Sequence, residues 1–77
     1  MEDGGTVKTR LANRLKVARA GHGISQEELA HQVGVTRQTI SSIETGTYCP
    51  SALLAFRLAE HLNENVDELF YLEKEVA

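Results

Sequence analysis

In the stretch VGVTRQTISSIETG, residues 33–46, the groups able to do chemistry are one guanidinium, one carboxamide and a cluster of hydroxyls: Arg37, Gln38, Ser41, Ser42 and Thr45. Arg presents two parallel N–H donors that match O6 and N7 of guanine, and Gln can bond N6 and N7 of adenine. Serine is short enough to let another surface come close. The chemistry on offer is therefore hydrogen-bond recognition of base edges. With about 100° per residue and Ile40 at zero, Ile43 falls near −60°, so the buried direction lies between these two Ile. Gln38, Ser41, Ser42 and Thr45 point the opposite way, while Arg37 projects sideways from the first turn. A solvated helix face usually carries Glu and Lys, which favour helix and solubility more than Ser and Thr do. On this pattern alone, a DNA-reading face and an unliganded surface helix are both open.

Several elements must position these residues, and five helical segments can be marked by spacing and caps. None of the chain shows the period-two alternation of a half-buried strand, so an all-α fold is expected. The first segment runs from about Lys8 to Ala20, with Val7, Leu11, Leu15 and Ala18 on one stripe, Thr6 as N-cap, and Gly21 and Gly23 at its end. Ser25 followed by Glu28 is a capping box that opens a short helix carrying Leu29, Ala30 and Val33, which Gly34 ends. Thr36 caps the third segment, which reaches Glu44 or Thr45 before Gly46. The fourth starts near Ser51, after Pro50, with Ala55, Leu58, Ala59 and Leu62 at helical spacing. The last begins at Asn65 and runs through Leu69 and Phe70 towards Leu72. The linkers are short, so a compact five-helix bundle is expected, with residues 1–5 as a loose N-terminal arm and residues 6–77 as one domain.

Seventy-seven residues fit one domain near the lower size for folding without staples. The net charge of −3 speaks against gripping polyanions by bulk attraction. The distribution says more: Lys8, Arg10, Arg14, Lys16, Arg19 and Arg37 lie in the first half, whereas Glu44, Glu60, Glu64, Asp67, Glu68, Glu73 and Glu75 make the second half acidic. One end of the molecule can meet a phosphate backbone while the other repels it.

Other chemistry finds little support. The single Cys49 cannot form an internal disulfide, which fits a reducing, cytoplasmic setting. His22, His31 and His61 lack metal-site spacing, so no metal and no cofactor is expected. There is no nucleophile elbow, no phosphate-cradling Gly-rich loop and no convincing carboxylate pair, so no catalytic residues are assigned. The longest apolar run, Ala52 to Phe56, is far short of a bilayer span, and MEDGG is unlike a signal peptide. Neither a membrane anchor nor a small-molecule ligand is expected.

Taken in order, SQEELA, the Gly34 turn, TRQTISSIE and the Gly46 and Pro50 punctuation closely resemble the Cro/C1-type (XRE-like) helix-turn-helix regulators, the family that includes the lambda repressor, over about Leu11 to Leu72. The resemblance implies a lambda-repressor-like bundle whose third helix enters the major groove. It implies that Arg37, Gln38 and Ser42 meet base edges with Ser41 beside them, that Gln26, Thr36, Thr45 and Thr47 face the DNA backbone, and that Arg19 and Glu44 form a structural ion pair. The function implied is that of a transcriptional regulator, acting as repressor or autoregulator and binding double-stranded DNA as a homodimer on an inverted repeat. Apolar Leu53 and the tail residues Phe70, Tyr71 and Leu72 are the expected dimer surface. Two departures weaken the backbone grip: Thr45 and Thr47 stand where the family frequently has Asn and Lys. A protein-binding adaptor, for instance an antitoxin-like partner using the acidic C-terminal half, is the alternative reading.

Overall fold

Local signals in the middle of the chain are realised almost residue for residue in the computed structural model, which describes residues 7–76 and the side chains of residues 8–75. Helix α2, Gln26–Val33, opens on the capping box: the Glu28 N–H donates to Ser25 Oγ at 3.0 Å, and the Ser25 N–H donates to Glu28 Oε1 at 2.9 Å. Gly34 ends it in the left-handed conformation, φ 79°, where a Cβ would be strained. Helix α3, Arg37–Glu44, is capped by Thr36, whose Oγ1 accepts the Thr39 N–H at 3.2 Å. Helix α4, Ala52–His61, is capped in the same way by Ser51, which accepts the Leu54 N–H at 3.1 Å.

The ends of the chain depart from the all-α expectation. The segment expected to be helical from Lys8 to Ala20 is a strand, β1, Val7–Asn13, followed by helix α1, Leu15–Gly21. The last helix, α5, is confined to Val66–Leu69, and the chain continues as strand β2, Phe70–Val76. β1 and β2 pair antiparallel, with Leu11 opposite Leu72 and Asn13 opposite Phe70. Among the described residues there are five helices, the number expected, with a two-stranded ribbon added. The physical reason is a long-range choice. The spacing of Leu11 and Leu15 suits a helix, but β-branched and aromatic residues in VKTRLAN and FYLEKEV also suit a pleated pair, and only the folded chain brings the two together. Thr6, the expected first cap, lies outside the described residues. The N-cap of α1 is Arg14, which makes no side-chain cap bond; at the junction before it, Asn13 Oδ1 accepts the Leu15 N–H at 3.0 Å, an Asx-type turn that leads the strand into α1.

The core is wholly apolar. Leu15, Leu29, Val33, Ile40, Ile43, Leu58, Leu62 and Leu69 are fully buried, and among the described residues no polar or charged one is buried. Each such aliphatic side chain contributes roughly 1.5–3 kcal/mol on leaving water. His22 at the end of α1 pairs with the Leu62 carbonyl at 2.7 Å, tying α1 to the end of α4. The long axis of 40 Å against 22 and 20 Å gives the molecule an elongated outline.

Candidate nucleic-acid interface

The two faces of α3 are sorted by burial. Ile40 and Ile43 lie in the core, at 0% and 1% exposure. Arg37 and Gln38 are exposed, while Ser41 and Ser42 are half-buried. Thr36, Thr45 and Thr47 stand exposed at the two ends of the helix. The Gln38 amide reaches one turn along to Ser42 Oγ at 3.4 Å, so these two polar groups share one surface. At the far end, the Thr45 and Thr47 hydroxyls lie 3.0 Å apart. They form a short hydroxyl edge at the C-terminal end of α3.

A hydrogen-bonded network holds this face in place. Arg19 Nε donates to Glu44 Oε2 at 2.7 Å, a second guanidinium nitrogen reaches Oε1 at 3.4 Å, and a third donates to the Ile24 carbonyl at 3.0 Å. The two side chains are only 15% and 5% exposed. The fork of Arg meeting the carboxylate satisfies two charges that would otherwise be stranded at the base of α3. Gln26 then joins the pair, donating from its amide to Glu44 Oε1 at 2.9 Å. Its carbonyl oxygen accepts from Arg37 at 3.2 Å. An unbroken polar chain therefore runs from α1 through Glu44 and the first residue of α2 to the guanidinium at the start of α3.

That geometry refines the place of Gln26. A primary amide carries two N–H donors, and one of these is taken by Glu44. Separately, the unpaired backbone N–H groups at a helix start such as that of α2 favour negative charge. The Gln26 link to Arg37 went unseen in the sequence, since residues 11 apart on different helices carry no joint spacing signal.

Four apolar residues were expected at a dimer surface. Leu53, Leu72 and Tyr71 are 69%, 65% and 42% exposed. Phe70 is different: at 7% exposure it belongs to the protomer's own core and offers a partner little area. Sequence reading passed over Phe56, which is 61% exposed and lies one turn from Leu53 on the outer side of α4. It also passed over Asn13, which donates from Nδ2 to the Ile43 carbonyl at 2.9 Å. Cys49 is exposed beside Pro50. Among the described residues no group of His, Cys, Asp or Glu is placed to hold a metal ion, and no helix is long and apolar enough to cross a membrane.

A short capped helix, a tight left-handed turn, and a second helix anchored by two Ile and polar outside together define a helix-turn-helix domain. Residues 15–69 match the helix-turn-helix family. The chain is 45% identical over 65 residues to the uncharacterized HTH-type transcriptional regulator YgzD of Bacillus subtilis, covering 84% of this chain and 98% of that one. It is 44% identical over 63 residues to the HTH-type transcriptional regulator MJ0272 of Methanocaldococcus jannaschii, covering 82% and 96%. Among solved structures, the restriction-modification controller protein C.AhdI from Aeromonas hydrophila superposes with a TM-score of 0.67 at 33% identity, over 71% of this chain and 80% of that one. The protein belongs to the Cro/C1-type helix-turn-helix family of DNA-binding transcriptional regulators.

Proposed function

We propose that the protein is a sequence-specific regulator that binds an inverted-repeat operator as a homodimer and acts as a repressor or autoregulator in the cytoplasm. Arg37, Gln38, Ser41 and Ser42 read base edges in the major groove, and Gln26, Thr36, Thr45 and Thr47 set the protein against the DNA backbone. The observation that carries this reading is the outer face of α3: it is polar and open while Ile40 and Ile43 anchor the opposite side in the core. Leu53, Phe56, Tyr71 and Leu72 supply exposed apolar surface for a second copy. Half-sites then lie about one DNA turn apart, or a multiple of it. The same exposed apolar residues, set in an acidic half of the chain, also suit an adaptor that covers another protein.

Selection from a random duplex pool, followed by sedimentation with and without the winning site, separates these readings. Enrichment of an inverted repeat bound by two protomers is the expected result. No enrichment at low salt, together with a stoichiometric complex with a co-purifying protein, points to the adaptor.

A further inference from the structure

Between the ribbon and the last turn of α3 the packing is thin. A cleft of about 290 Å³ opens on one side, lined by Arg10, Leu11, Ile43, Tyr48 and Phe70. Another, of about 160 Å³, opens between Ala12 and Tyr71 of the ribbon and Glu44 and Thr45 of α3. Asn13 lines both clefts. Its carboxamide crosses the gap between them: Nδ2 donates to the Ile43 carbonyl at 2.9 Å, and Oδ1 accepts the Leu15 N–H at 3.0 Å. The next residue, Arg14, donates its backbone N–H to the Leu69 carbonyl at 2.9 Å, where α5 gives way to β2. One side chain is thus bonded to the start of α1 and to the end of the DNA-facing helix, while its own backbone closes the ribbon opposite Phe70.

We infer that Asn13 is a positioning residue for operator reading, acting as a strut that fixes the angle between the ribbon and α3. In the dimer proposed above, Tyr71 and Leu72 of β2 meet the second copy along with Leu53 and Phe56 of α4, so that angle helps to set the separation and tilt of the two recognition helices, and so the spacing of half-sites the protein accepts. The inference rests on the dimeric operator-binding reading above. Asn13 itself touches no base in this scheme and acts through the placement of α3.

Two variants separate the strut from simple folding. Asn13→Asp keeps the size and the acceptor for Leu15, and a negative group near a helix start is favourable. It replaces the donor facing Ile43 with an oxygen that repels the carbonyl. Asn13→Ala removes both bonds. Each variant and the wild type are tested on a duplex library in which the selected half-sites are separated by every spacing over one helical turn. The distance between spin labels at His31→Cys and Lys74→Cys, in a Cys49→Ser background, is measured in parallel.

The wild type should prefer one spacing, and Asn13→Asp should flatten that preference by about tenfold, the order expected for losing one orienting hydrogen bond. Base preference within each half-site should be unchanged, and the label distances should broaden. Asn13→Ala should do the same with a larger fall in melting temperature. If Asn13→Asp retains the wild-type spacing preference, or retains the wild-type width of label distances, the inference is overturned. A wild type that selects no paired half-sites instead removes the dimeric reading, and the role in spacing with it, before any substitution is made.

Discussion

Replacing Glu44 with Gln tests whether the network beneath α3 holds the recognition surface together. The substitution keeps the shape and an oxygen for the Gln26 amide, but it removes the charge that Arg19 faces at 2.7 Å. Breaking a buried ion pair from one side costs about 3–5 kcal/mol. Arg19 is 15% exposed and keeps its bond to the Ile24 carbonyl, so the effect here should be smaller, about 2–3 kcal/mol after allowing for that remaining bond and solvent access. A domain of this size is stable by about 4–12 kcal/mol in total. The loss is therefore a large fraction of it, and the melting temperature should fall by about 10–20 °C. Urea titration with circular dichroism measures the change directly, and a constant slope would show that the unfolded state is unaltered. The double variant Arg19→Met with Glu44→Leu should recover much of the loss, because two apolar side chains leave no stranded charge. If Glu44→Gln melts within about 3 °C of the wild type, the pair is not what seats α3, and the argument from its burial is wrong.

Other substitutions probe the separate parts of the interface. Arg37→Ala should weaken binding of the selected duplex by about 1–3 kcal/mol and relax preference at one base pair, read by competition with duplexes altered one position at a time. Gln26→Ala should weaken all duplexes, but because its carbonyl holds Arg37 it should also blur preference at that same base pair. An effect uniform over every position would separate the two residues. Ile40→Ala should cost about 2–5 kcal/mol of folding stability by denaturant titration, with the cavity left under α3 as the cause. Changing both Leu53 and Phe56 to Asp should leave the fold intact and shift sedimentation towards the monomer; an unchanged dimer would move the interface elsewhere.

The helices from Ser25 to His61 were legible because their signals are local. A capping box, a hydroxyl cap and a left-handed Gly act over three or four residues and need no distant partner. The outer face of α3 was legible for the same reason, since Ile40 and Ile43 define its opposite side. The ribbon was not, because pairing Leu11 with Leu72 depends on the fold that brings them together. Phe70 illustrates the consequence: as the continuation of a helix it looked available to a partner, and as the first residue of β2 it turns into the core. Asn13 and the Gln26–Arg37 contact escaped notice because each is a meeting of side chain with a remote group, for which spacing along the chain carries no information.

The ribbon also imposes an order of events during synthesis. Arg10 and Glu73, paired across it at 2.8 Å, are 63 positions apart, so the early strand must wait for nearly all of the domain to leave the ribosome. The α2 and α3 pair can dock long before that, since its contacts close over a few tens of residues and fewer intervening links must be ordered. Nascent chains of this protein should therefore acquire a reading head first and its brace last, and a chain stalled before β2 would carry an unmatched strand edge open to foreign partners.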